Sequence, residues 1–145
     1  MGDFALRTIK KGEAITIDDT IELRNELNTF LEAYEKAANS CDFANVAPLV
    51  ANDAAFWFTN GTYEGKKDIQ KAFEETWAKI QNETYSIANI KWIIATYWNS
   101  VCSYTFKSEG VVDGKKRIFK GRGLNVLKRI DGNWRIVHEH LSIVN

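Results

Sequence analysis

The chain has 145 residues, 45% of them apolar and 26% charged, with five Trp, five Tyr and eight Phe. These proportions describe one globular domain, large enough to remove roughly 70% of its unfolded surface from water. Nineteen basic side chains balance nineteen acidic ones, so no net field draws the protein to nucleic acid or to an acidic membrane.

Residues 1–15 carry no sustained pattern and are expected to form a flexible arm ahead of a single domain, 16–145. The N-terminus has no apolar secretion signal, and no run approaches the roughly eighteen apolar residues of a membrane span, so a cytoplasmic location is expected. Cys41 and Cys102 lack metal-ligand spacing and are expected as reduced, packed thiols.

Over residues 18–40, Leu23, Leu27, Phe30, Leu31, Tyr34, Ala38 and Cys41 recur at steps of three and four, one face of a long helix that Asp18 or Asp19 can cap. Asp42 is placed to cap a short helix over 43–50, in which Pro48 removes a backbone donor. A strand over 54–59 ends at Asn60-Gly61, and Tyr63 lies in a short return strand. A second long helix, 66–81, turns Ile69, Phe73, Trp77 and Ile80 inward. Strands over 85–96, 101–109, 116–130 and 134–144 complete the chain. Gly121 and Gly123 inside the third of these suggest a bulge or sharp bend. The order is α+β: a strongly curved, mainly antiparallel sheet wrapped as a cone around N-terminal helices.

Asp131-Gly132 joins the last two strands as a hairpin, and both arms are apolar on both faces. One face is expected against the helices and the other against a second subunit, making a homodimer. A two-residue turn would put Asn125 on the face of His138 and His140. A three-residue turn with Gly132 as a bulge would put it with Val137, Glu139 and Leu141, leaving Trp134, Ile136, His138 and His140 outside. Residues alone leave both registers open.

Asp42-Phe43, Asn52-Asp53-Ala54 and the ending Asp-Gly-x-Trp…His-x-His-x-Ser resemble the nuclear transport factor 2-like superfamily, within it the SnoaL-like proteins and the related ketosteroid isomerases. The ending is also similar to the association domain of calcium/calmodulin-dependent kinase. The resemblance implies a conical pocket for a small, largely apolar organic molecule, with isomerase-, cyclase- or dehydratase-type proton transfer that needs no cofactor. A non-catalytic binder or an oligomerisation module are the alternatives. It places Tyr34 and Asn125 where the isomerases keep two hydrogen-bond donors for an oxyanion. Phe58 stands where they keep a catalytic Asp, so steroid isomerisation by that route is not implied. The family pocket turns Leu141 inward, which favours the bulged register.

Glu139 is the only acid in the final strand, and inside a cone it would be desolvated toward the pKa of a useful base. On the plainer reading it sits at the rim, solvated or paired with Arg122. Trp77, Tyr104 and Phe106, with Phe58 and Leu141, are expected as pocket walls. His138-x-His140 has the spacing of some metal sites, but with no further His it reads as packed or interfacial, and no metal is expected.

Overall fold

The computed structural model describes residues 8–10 and 17–144. Most of the expected arm lies outside the described residues. Of it, Thr8, Ile9 and Lys10 are described, and Ile9 is buried. The elements in order are helix α1 (Ile17–Ala38), helix α2 (Phe43–Val46) running into a 3₁₀ turn (Ala47–Leu49), strands β1 (Val50–Phe58) and β2 (Gly61–Glu64), helix α3 (Lys66–Lys79), and strands β3 (Gln81–Ala95), β4 (Asn99–Val112), β5 (Lys115–Ile130) and β6 (Asn133–Ile143). The strands form one sheet in the order β2-β1-β6-β5-β4-β3, and only β1 and β6 run parallel. This is the expected α+β architecture, a curved, unclosed sheet with the helices in its concave side.

The inward stripe of α1 is the one its spacing predicts: Leu23, Leu27, Phe30, Leu31 and Tyr34 are all buried. The helix already runs at Ile17, so Asp18 and Asp19 lie within it rather than ahead of it. At its other end Cys41 takes a left-handed φ of 54° and is exposed, not packed as expected, while Cys102 is buried. Asp42 caps α2, its carboxylate accepting from the Ala44 N–H at 3.0 Å. Pro48 then converts the anticipated longer helix into the 3₁₀ turn.

The hairpin register departs from the resemblance. Ile130 pairs with Asn133 across a two-residue turn with Asp131 and Gly132 both at positive φ (51° and 80°), the pattern of a type I′ turn. The strands are re-phased further along. Leu127 pairs with Ile136 but Val126 with His138, so Val137 is an extra residue in β6. That bulge turns Trp134 and Ile136 inward as well as Glu139 and Leu141, and leaves His138 and His140 outside. Trp134 and Ile136 are accordingly buried, and the Trp134 indole N–H donates to Glu26 of α1 at 2.8 Å. They do not form the outer patch expected of them.

Gly121 and Gly123 mark no bulge, since β5 pairs with β4 and β6 through both positions without a break. Their reason is steric. A Cβ on Gly123 would collide with ring carbons of Tyr104, and one on Gly121 with the Ser142 carbonyl oxygen and the ring of Phe106. Each glycine lets an aromatic side chain of β4 lie across β5.

Candidate functional site

The edge of β3 carries backbone groups that no strand pairs, and α1 covers them. Asn39 bonds Tyr85 at both ends, its amide donating to the Tyr85 carbonyl at 2.8 Å and its carbonyl accepting from the Tyr85 N–H at 2.7 Å. The Glu35 carboxylate accepts from the Ile87 N–H at 2.7 Å. These bonds protect an edge and also fix Tyr34 of α1 opposite Tyr85 of β3. Trp77 of α3 is tied to the same helix end, its indole N–H donating to the Ala38 carbonyl at 3.0 Å.

Between these helices and the sheet lies an open cavity of about 290 Å³. Its walls are mostly aromatic and aliphatic: Phe58, Phe73, Trp77, Phe106, Phe119, Leu141 and Ile143. Tyr34, Tyr85 and Glu139 meet at its inner part, and Glu83 with Ser108 interrupts the apolar wall.

Glu139 is 1% exposed and Asn125 is fully buried, directly opposite it in the β5–β6 register. The Asn125 amide donates to Glu139 Oε1 at 3.1 Å. The Tyr104 hydroxyl donates to Asn125 Oδ1 at 2.8 Å and lies 3.4 Å from Glu139 Oε1, its ring in the space a side chain at Gly123 would fill. Tyr34 adds a further hydrogen bond to the carboxylate. Burial nonetheless prevails over these three donors, and the Glu139 carboxyl is pushed up from 4.5 to about 7. Burial, with the charge on Glu139 next in size, holds the hydroxyls of Tyr34, Tyr85 and Tyr104 well above the usual tyrosine range, so all three stay protonated. A carboxyl of this kind can accept or return a proton near neutral pH.

The placement of the anticipated residues is mixed. Tyr34, Phe58, Trp77, Phe106, Glu139 and Leu141 line the cavity. Asn125 and Tyr104 do not: they stand behind Glu139 and hold it. Glu139 is neither at the rim nor beside Arg122, whose position across from Ser142 faces outward. Several cavity residues escaped the sequence reading, among them Tyr85, Glu83, Ser108 and Phe119. The alternation of β3 carried the signal for the first two, since Glu83, Tyr85 and Ile87 fall on one face.

On the convex side, Trp57 of β1 is 48% exposed and stacks edge-on against His138 and His140, with ring centroids 4.8 and 5.7 Å away. Cross-strand pairing extends this patch through Leu124 and Val126 to Val101 and the exposed Ile94. Among the described residues no group of His, Cys, Asp and Glu is arranged to hold a metal, and no helix is long and apolar enough to cross a membrane.

A helix-filled, half-open cone with a buried acid facing an apolar cavity defines a pocket-bearing α+β class. The chain belongs to the SnoaL-like domain family, whose model matches residues 27–145. No curated protein matches it significantly. Among solved structures it is similar to a nuclear transport factor 2-like superfamily protein of Salmonella enterica (19% identity, TM-score 0.79, covering 87% of this chain and 94% of that one). It is also similar to a Novosphingobium aromaticivorans protein proposed to be a scytalone dehydratase (13%, TM-score 0.80, 90% and 89%). A third is a Xanthomonas campestris protein proposed to be a calcium/calmodulin-dependent protein kinase II association domain (17%, TM-score 0.74, 99% and 98%). At these identities the likeness concerns the fold.

Proposed function

We propose that the protein is a homodimer whose cavity binds a small, largely apolar organic molecule, and that Glu139 moves a proton on it in an isomerase-, cyclase- or dehydratase-type step without a cofactor. The observation that carries this reading is a carboxyl buried at the inner end of an apolar cavity and held by Asn125, Tyr104 and Tyr34. Structural cores rarely contain an unpaired acid, because desolvation penalises its charged form. The same penalty makes it a stronger base once ionised. Tyr34 is the donor best placed to follow charge from Glu139 to a ligand oxygen, with Asn125 and Tyr104 as positioning residues.

The dimer reading rests on the outer sheet face, where Trp57, Leu124 and Ile94 would otherwise meet water. The fold-level likeness to a protein proposed as an association domain supports assembly through such a face.

The test is deuterium exchange at the α-carbon of an apolar ketone, tetralone, followed by NMR. The parent should accelerate exchange, and Glu139→Gln should lose roughly 10²–10⁴ in rate with tetralone binding little changed. A Gln variant as active as the parent would remove the catalytic half. Absence of any tetralone or naphthol binding would remove the pocket half as well.

A further inference from the structure

We propose that the cavity selects an apolar organic amine, its ammonium group seated on Glu83, over a carboxylic acid of the same skeleton. The inference rests on the ligand-binding reading above and adds the chemical class of the ligand. It starts from a count of donors and acceptors. The inner wall has spent its donors: Tyr34 on Glu139, the Thr76 hydroxyl on the Ala72 carbonyl at 3.0 Å, and the Trp77 indole on Ala38. Ser108 donates to Glu83 Oε2 at 2.5 Å, which leaves the other Glu83 oxygen without a partner among the described residues. Thr59 and Asn60 keep donors at the exposed mouth, but what remains facing the inner cavity is acceptor-rich and carries two carboxyls.

Tyr85 gives an independent sign that a ligand completes this wall. Its hydroxyl is buried and lines the cavity, and its neighbour, the Tyr104 hydroxyl, already donates to Asn125. A buried polar group left this way is costly unless something enters to meet it. Lys79, exposed at the rim, is the only cation among the described lining residues. An entering carboxylate would therefore face the charge of Glu83 and, in the ionised fraction, that of Glu139, with few inner donors to meet it. An ammonium group would find the free Glu83 oxygen and the rings of Trp77 and Phe106, both able to hold a cation against their faces. Burial pushes the Glu83 carboxyl upward, a cost that a bound cation would relieve.

The two acids serve different ends of one ligand. Ser108 lies four positions along β4 from Tyr104, roughly 13 Å at the rise of a strand. Glu83 would hold the nitrogen, and Glu139 with Tyr85 would meet the far end.

Three naphthalene probes of one shape separate the possibilities by calorimetry at neutral pH: naphthylmethylamine, naphthalenemethanol and naphthoate. The amine should bind about tenfold tighter than the alcohol, and naphthoate at least about tenfold more weakly than the alcohol. Glu83→Gln should bring the amine down to the affinity of the alcohol and leave the alcohol unchanged, which also shows that the cavity is intact. Equal binding of amine and alcohol, a preference for naphthoate, or an amine preference that survives Glu83→Gln would each overturn the proposal while leaving ligand binding standing. If none of the three binds, the ligand-binding reading fails and this one with it.

Discussion

The two faces of β5 and β6 invert the ordinary distribution of polarity in a half-buried sheet. On the concave face Asn125 and Glu139 are buried where core residues would serve stability better. On the convex face Leu124 and Val126 of β5 and Trp57 of β1 flank His138 and His140 of β6, where water would favour polar side chains. The single extra residue Val137 decides which side chains fall on which face. Each inversion carries a stability cost, and each points to something outside the folded chain: a ligand on the concave side, a second copy on the convex one.

The sharpest way to break this comparison is at the convex face. Leu124→Arg puts a charge in the middle of the proposed dimer contact, far from Glu139's side of the sheet. The dimer should weaken at least a hundredfold, about 3 kcal/mol, as read by sedimentation at micromolar concentration. Tetralone binding per chain should persist. A parent protein that is already monomeric there would show that the apolar outer patch has another purpose.

On the concave face the effect is comparable in size but opposite in sign. The folded-state pKa of Glu139 is raised, from 4.5 to about 7. Folding is therefore helped by the protonated form. That stability is fully present below about 4.5 and is lost as pH rises through about 7. A shift of this size corresponds to about 3 kcal/mol. Glu139→Gln, which stays neutral and keeps an acceptor for Asn125, should match the parent near pH 4.5 and exceed it increasingly up to pH 8 in urea unfolding. An inactive variant more stable than its parent is the signature of an acid kept for function. A variant less stable at pH 8 would make Glu139 a structural residue.

A smaller effect tests how the acid is held. Gly123→Ala would place a Cβ against the Tyr104 ring and push its hydroxyl off Asn125. Overpacking of this kind costs about 2 kcal/mol. Unlike Glu139→Gln, it should lower stability at every pH, because it strains the sheet in both protonation states.

Much of this was legible in the residues. The three-and-four spacing of α1, the inward stripe of α3 and the α+β order follow from apolar periodicity, which the core enforces. Tyr34 could be named because the family resemblance places it where the isomerases keep a donor, and Glu139 because it is the only acid of the final strand. The register could not be read, because Asp131-Gly132 suits both turns and a bulge at Val137 leaves no mark in an apolar run. Gly121 and Gly123 looked like breaks because sequence cannot show the rings of Phe106 and Tyr104 lying over them. Glu83 was passed over because the start of β3 reads as loop until its partner Ser108 is known to be inward.

The smallest predicted effect joins the convex face to pH. His138 lies on that face against Trp57, and its pKa is lowered, chiefly by burial and then by neighbouring His140, although a backbone hydrogen bond to Ala55 works the other way. A lowered folded-state pKa means that the neutral ring is favoured. The stability it supports is present above the ordinary 6.5 and is lost as pH falls through the depressed folded value. In a dimer the ring would be buried further, so acid should weaken association more than it weakens the fold of one chain. The dimer dissociation constant should rise modestly between pH 7 and pH 5.5, and His138→Gln should flatten that rise. Glu139 titrates in the same range on the opposite face, so the measurement belongs in the Glu139→Gln background. A dissociation constant that stays flat there would place His138 outside the contact and move the dimer surface toward Ile94 and Trp98, both half-exposed at the other end of the sheet.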